Sequence, residues 1–354
     1  MGLLSNLIQS VNLQSNTANV VGIDIGSSSI KVVELEDRAG VITLLTYGEI
    51  QLGPYVEKSL GSAVQLNPKQ EQAALVDVIR ESAVKSGQAV FAMPLSSSFI
   101  STTTLDVGPE ADLAAQVRVE ARKIIPASLS EVTLDWAELE TPADQTGRSV
   151  LIAAIQNTAI ERLNILMQFV GLQNSPTEIE CFSTGRTIAR SGHSIIIDFG
   201  ASSAKMYISH EGVLTRMHRI NIGGTQITQQ FASLQEIDFE AAELQKMQLQ
   251  KGDPEYASLH GVYNKVYSRA LREFKQVIAQ YQTNSDSSFS TIYVCGGSSL
   301  FPGLGKLVQD TIGITTQPIN PFSNVAYPAF MEDAMKEIGP SFVPALGAAL
   351  RHFE

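Results

Sequence analysis

The chain has 354 residues, 44% of them hydrophobic and 17% charged, and a net charge of −11. That length accommodates about two domains, and the composition is that of an ordinary globular protein, neither disordered nor membrane-spanning. The acidic balance excludes generic attraction to nucleic acid or anionic lipid, so no nucleic-acid partner is expected.

Cys181 and Cys295 each lie in an apolar stretch and are expected to be small buried hydrophobes in a reducing compartment. Neither CxxC nor HExxH occurs and the histidines are scattered, which argues against a structural zinc site. The N-terminus lacks a basic region followed by a long apolar core, and no run approaches the ~20 apolar residues that a bilayer requires. A cytoplasmic protein is expected.

In chain order, Leu3, Leu4, Leu7, Ile8 and Val11 recur at helical spacing with no charge among residues 1–18. They predict an amphipathic helix docked on the body or on a partner, with membrane contact as the alternative, followed by a polar linker to Asn19. An apolar, β-branched run through Val20 and Val21 then predicts a strand, a tight Gly/Ser turn and a second strand, with a third at 41–51. Residues 69–86 predict a helix with Leu75, Val78, Ile79 and Ala83 on one face, ended by Gly87. A short buried strand follows at Val90–Met93. The region 95–172 reads as a small inserted subdomain: a helix near 110–125 stopped by Pro126, strands at 132–139 and 149–155, and a helix from Asn157 to Gly171. Residues 177–190 return toward the first domain.

The second half restarts at Ser194 with strand, turn and strand. Ile220 to Gly224 predicts a strand running into a glycine pair, with a helix from Thr225. Helices are expected at 238–251 and 255–283, then a strand at Thr291–Cys295, a helix at 303–312 and a last helix at 342–351. The whole is an α/β chain of two related domains with insertions. The layout expected is an N-terminal segment (1–19), a first domain (20–94 and 173–192), the insert (95–172), a second domain (193–227 and 290–354) and a helical subdomain (228–289).

The chain says one thing twice. Ile23-Asp24-Ile25-Gly26-Ser27-Ser28-Ser29-Ile30-Lys31 recurs as Ile197-Asp198-Phe199-Gly200-Ala201-Ser202-Ser203-Ala204-Lys205, with six of nine positions identical. An Asp ending a strand, followed by small residues with free N–H groups, suits a phosphate with its metal. Asp24 and Asp198 would hold Mg²⁺ through water. Gly26, Ser27, Ser28 and Ser29 would donate to phosphates from one side, with Lys31 adding positive charge, and Gly200, Ala201, Ser202 and Ser203 from the other. Gly223 and Gly224 join this set. Gly296-Gly297-Ser298, at the end of a strand, lets backbone approach a flat ligand closely. Glu243 and Lys246 share one helix face, either as a surface ion pair or as a ribose and adenine clamp.

Asp24-x-Gly26-Ser27-Ser28, Asp198-x-Gly200 and Gly296-Gly297, in this order, resemble the phosphate 1, phosphate 2 and adenosine motifs of the actin/Hsp70/sugar-kinase ATPase superfamily. Glu243-x-x-Lys246 resembles its ribose-side helix. Within it, Val21 to Leu35 resembles the opening of the PilM family of type IV pilus assembly proteins, relatives of FtsA. Glu120 to Pro126 with Val132-x-Leu134-Asp135-Trp136 resembles that family's inserted-subdomain signature, and Asn221 to Thr225 and Ala345 to Leu350 resemble later ones. The likeness runs from about residue 20 to 353.

The resemblance implies an actin-like ATPase fold: two duplicated RNase H-like domains with inserted subdomains, the first of SHS2 type, around an interdomain nucleotide cleft. It implies ATP and Mg²⁺ as cofactors and at most slow hydrolysis, since Gly200-Ala201 is less polar than the family's usual loop. Asp24, and by position Glu180, are the catalytic candidates. The implied role is a cytoplasmic member of the inner-membrane alignment complex of pilus biogenesis and twitching motility, held at the membrane by a partner. That partner is a PilN-like protein whose cytosolic N-terminal peptide docks on the chain, with nucleotide modulating domain orientation. Other pilus motor components and self-association are further partners the resemblance implies. The alternatives are an FtsA-like or filament-forming actin homologue, or a small-molecule kinase, for which residues 92–106 offer no convincing Asp base.

Overall fold

The structure, a computed structural model, describes residues 19–139, 146–174, 177–188, 191–285 and 287–354. The amphipathic helix expected at 3–11 lies outside the described residues. Strand β1 (Asn19–Ile25) pairs antiparallel with β2 (Ser29–Arg38), which pairs with β3 (Val41–Gln51). On its other side β1 lies parallel to β4 (Gln88–Met93). The insert then supplies β5 (Ser98–Leu105), β6 (Val132–Glu138) and β7 (Arg148–Gln156), an antiparallel sheet in the order β5-β7-β6 backed by helix α2 (Leu113–Ile124). Two-residue strands β8 (Gln173–Asn174) and β9 (Glu178–Ile179) complete the first sheet on β4.

The second half repeats this arrangement. Its sheet runs β12 (Val213–Ile220), β11 (Ala204–His210), β10 (His193–Phe199), β13 (Thr291–Cys295), β14 (Thr315–Pro318), with β10 antiparallel to β11 and parallel to β13. The repeat extends to register: Asp24 lies opposite Lys31 and Asp198 opposite Lys205. Each central strand is buried on both faces, which is why Val20–Ile23 and Ile195–Ile197 are continuous apolar runs rather than alternating ones.

Two local expectations need correction. Helix α1 (Pro68–Glu81) starts on an Asn67–Gln70 capping box but stops five residues short of the predicted end at 86, before Gly87. Ala83 takes a left-handed conformation, and Val84 N–H reaches Ile79 O (3.1 Å) while Ala83 N–H reaches Arg80 O (3.0 Å), a Schellman cap built on alanine. Strand β5 falls in 98–105, where the Ser/Thr-rich sequence predicted no element.

Helix α3 (Asn157–Val170), the last expected element of the insert, packs on the first domain. Leu163, Leu166 and Met167 join its core, and Arg162 donates to the buried Glu71 of α1. Segment 178–186 then crosses between the halves, carrying helix α4 (Glu180–Arg186). The second core is filled by α5 (Gly224–Gln235), α6 (Phe239–Gln248), α7 (Tyr256–Ser285) and α8 (Leu304–Ile312), with Phe231, Tyr263, Tyr267 and Phe274 fully buried. Helix α9 (Glu332–Ile338) leads into α10 (Val343–Leu350), which returns to lie on β1 and against α4.

That double crossing is possible only because the residues are small. A Cβ on Gly22 would lie 1.9 Å from Ala345 O, and one on Gly347 would lie 1.9 Å from Ser183 O. Glu178, fully buried, locks the crossing by accepting from Ser183 Oγ (2.7 Å), Arg186 Nη2 (3.0 Å) and Arg351 Nη1 (3.1 Å), while Arg186 Nη1 also donates to Gly347 O (3.0 Å). Cys181 and Cys295 are both buried and unbridged. Among the described residues, no helix is long and apolar enough to cross a membrane.

The close crossing makes Gly347 costly to change. Gly347→Ala is expected to lose about 1–3 kcal/mol to steric overlap, although Ala is intrinsically favoured in helices by about 1 kcal/mol. Gly261→Ala, also within a helix but with open space at the Cβ position, should be neutral or gain up to ~1 kcal/mol. Urea unfolding of both variants checks the pair; equal shifts would mean that the crossing tolerates a methyl group.

Candidate functional site

The two hairpin loops meet between the halves. Each closes by the same turn, Gly26 N–H to Ser29 O and Gly200 N–H to Ser203 O, both 3.0 Å. Their tips touch, with the Ser27 hydroxyl donating to Ser202 Oγ at 3.0 Å across the cleft. Among the described residues, nothing accepts from the N–H groups of Ser27, Ser28, Ala201 or Ser202. These donors, with the serine hydroxyls, form a nest of the kind that binds anions.

Charge gathers at the base of the loops. Lys205 Nζ donates to Glu180 Oε2 at 2.6 Å and to Asp198 Oδ2 at 3.0 Å, and all three side chains are largely buried. Burial opposes the charge of Lys205, but Asp198 and Glu180 outweigh it and hold the ammonium firmly protonated. Asp24 is pushed up to about 7 by burial, with Glu180 and Asp198 adding to the shift and Lys31 and Lys205 opposing it. Lys31 donates to Ser29 Oγ (2.7 Å) and pairs with Glu49 (3.0 Å). Asp24, Asp198, Glu180 and Glu49 thus share this floor with Lys205 and Lys31, a set still short of positive charge. Among the described residues, no three His, Cys, Asp or Glu side chains are arranged to hold a metal directly. A divalent cation here would therefore be held through water and phosphate oxygens, as Mg²⁺ often is.

The glycine pairs shape the second wall. Gly224 N–H and Thr225 N–H donate to Gly200 O (3.0 Å) and Ala201 O (2.9 Å), seating the start of α5 on the second loop. A Cβ on Gly223 would strike the Ala201 backbone at 2.5 Å, and one on Gly224 would strike Ser298 Oγ at 2.7 Å. Gly296 has φ +87°, and a Cβ there would lie 2.4 Å from Asp198 Oδ1, so only glycine lets that carboxylate reach the loop. Gly297 opens onto free space, with nothing within 4 Å of a Cβ.

Glu243 and Lys246 are not a surface pair. Glu243 Oε2 accepts from Thr228 Oγ1 (2.5 Å) and Lys246 Nζ (2.6 Å), and Lys246 reaches Gly224 O (3.4 Å). Burial pulls the Lys246 ammonium below its ordinary range. The loop before α1 caps this triangle: Ala63 N–H donates to Thr225 Oγ1 (3.1 Å), which donates to Gly61 O (3.2 Å), and Gly61 lies directly on Glu243.

The structure thus brings together the expected residues of both loops, both glycine pairs, Ser298, Glu180, Glu243 and Lys246, whereas Lys31 is engaged by Ser29 and Glu49. Lys205, Thr225 and Thr228 were not among the expected residues. Lys205 alone had a sequence signal, its place in the repeat equivalent to that of Lys31.

Residues 22–353 match the family described as "Type IV pilus assembly protein PilM". Among solved structures, the chain is similar to a PilM–PilN type IV pilus biogenesis complex, with TM-score 0.78 and 23% identity over 95% of this chain and 98% of that one. It is similar to the ethanolamine utilization protein EutJ from Carboxydothermus hydrogenoformans, with TM-score 0.54 and 16% identity over 98% and 97%. It also resembles MreB5 of Spiroplasma citri bound to AMPPNP, with TM-score 0.53 and 11% identity over 94% and 96%. These likenesses establish an actin-like ATPase fold.

Because Asp24 titrates near 7 in the folded chain and near 3.8 in its unperturbed state, the folded form holds a proton that the unfolded form has released between those values. Stability should therefore fall as pH rises from about 4 to about 7, with the loss complete above the folded value. Asp24→Asn removes this contribution. Melting temperatures should coincide near pH 4 and favour the variant near pH 8; parallel profiles would refute the shift.

Proposed function

The chain belongs to the type IV pilus assembly protein PilM family, and from that premise we propose that it binds ATP with Mg²⁺ between its halves and docks a PilN-like partner. The observation that carries the nucleotide reading is the meeting of two in-register Asp–Lys hairpins whose loops present unclaimed N–H groups to one another. MreB5, of the same fold, is described with AMPPNP bound, which supports the reading at the level of the fold.

In this reading Ser27, Ser28, Ser29, Gly200, Ala201 and Ser202 hold the phosphates. Asp24 and Asp198 orient the waters of the cation, which would supply charge neutralisation. Gly296, Gly297, Ser298, Gly223, Gly224, Glu243 and Lys246 line the nucleoside. Glu180 has both oxygens engaged, one by Lys205 and one by Leu95 N–H. That leaves it poorly placed to take a proton from water and supports slow hydrolysis at most. The crossing elements α4 and α10 make a hinge through which the bound state shifts domain orientation. The insert docks the cytosolic N-terminal peptide of a PilN-like inner-membrane protein, which places the chain at the cytoplasmic side of the membrane; the PilM–PilN complex supports this partner.

Gly297→Val is the sharpest test, because a Cβ at this exposed position meets no protein atom within 4 Å. Its melting temperature should be unchanged while ATP–Mg²⁺ affinity falls about tenfold or more, a loss of about 1.4 kcal/mol or more. Titration with labelled ATP and with the PilN-like peptide measures both halves of the proposal. Absence of nucleotide binding in the natural protein, or no peptide binding with or without nucleotide, would sink the corresponding half.

A further inference from the structure

Lys205 sits beneath the loops, and its contacts lead in two directions. Its ammonium donates to Asp198 on the hairpin of the second half and to Glu180 on the crossing helix. The other oxygen of Glu180 accepts the backbone N–H of Leu95 at 2.7 Å. Leu95 is buried and opens the short turn Leu95–Ser97 that leads from β4 into β5, the first strand of the insert. One carboxylate therefore joins the cleft cation to the first peptide group of the insert. The counterpart lysine, Lys31, is held by Ser29 and Glu49, so the two halves of the repeat have diverged at this position.

We propose that Lys205 is the phosphate-sensing residue of the cleft and that Glu180 is a positioning residue that passes its state to the root of the insert through Leu95. The proposal rests on the nucleotide reading above. A lysine has three donors on one point charge, and a terminal phosphate offers more negative charge than Glu180. Lys205 exchanges Glu180 for that phosphate. Glu180 then loses the charge-assisted bond that fixes its rotamer, its hold on Leu95 N–H loosens, and the turn into the insert opens more often. ADP, lacking the terminal phosphate, leaves the Lys205–Glu180 bond in place. ATP and ADP are thereby told apart at the site where a partner would dock.

The test uses the whole chain. Equilibrium dialysis with labelled ATP and Mg²⁺ measures binding, while amide exchange at Leu95 and emission from Trp136, the chain's single tryptophan on β6 of the insert, report on the insert. ATP should speed exchange at Leu95 by about threefold or more and ADP should not. Lys205→Met should bind ATP about tenfold more weakly and, at saturating ATP, show no such response. Lys205→Arg should restore the response, and Glu180→Gln at saturating ATP should abolish it. Bound ATP with unchanged Leu95 exchange in the natural protein overturns the relay alone, as does an undiminished response in Lys205→Met or Glu180→Gln. No bound ATP in the natural protein overturns the nucleotide reading and the relay with it. If Lys205→Met does not fold, Lys205→Arg, Glu180→Gln and the natural protein decide the matter.

Discussion

A buried ammonium between two buried carboxylates is the interaction around which this molecule is arranged. Lys205 lies under the second hairpin, Asp198 ends the strand beside it, and Glu180 comes from the segment that crosses between the halves. Burying such groups is unfavourable unless each is paired and hydrogen-bonded, and removing one partner of a buried ion pair typically costs about 3–5 kcal/mol. The strand register supplies the pairing, since Asp198 and Lys205 face each other across β10 and β11. The position of the crossing segment supplies the third member. Among the described residues, Asp24, a fourth charged group of this floor, makes no comparable ion pair, and burial raises its proton affinity. A floor with this balance favours a ligand that arrives with its own cation.

The crossing obeys a different constraint, that of closeness. Gly22 and Gly347 bring α10 onto β1 and α4 at distances no side chain would permit. The buried Glu178, with Arg186 and Arg351, then fixes the angle of the crossing by charge and hydrogen bonds. Apolar packing runs through this point: the cluster of the first sheet also takes in Ile196, Tyr207 and Cys295 of the second, while the α5–α8 helices fill a further core. The candidate site lies where the two halves meet, with the tips of the two loops in contact.

Much of this was legible in the residues because the relevant signals are local. The hairpins announced themselves through continuous apolar strands, a Gly/Ser turn and repetition at constant spacing, and β3 fell at the predicted residues 41–51. Misreadings arose where local preference lost. Strand β5 is a Ser/Thr-rich edge strand with no clear alternation, so pairing with β7 rather than its own pattern defines it. Helix α1 ends where Ala83 accepts a left-handed backbone for the sake of two capping bonds, against the expectation that glycine would do so. Glu243 and Lys246 carry the spacing of an ordinary helix ion pair, and only the cap formed by Gly61 and Thr225 buries them.

The sequence by itself determined the fold class, the doubled loop and the positions of the glycines, because backbone conformation and strand periodicity depend on near neighbours. It could not rank the two lysines of the repeat, which are equivalent in type, spacing and register. Tertiary structure decided between them. Glu49 on β3 takes up Lys31, while the crossing helix delivers Glu180 to Lys205. It also decided that the last helix returns to the first sheet and that Leu95 rests on Glu180. These are contacts between residues tens to hundreds of positions apart, and their partners are chosen by packing that no local pattern encodes.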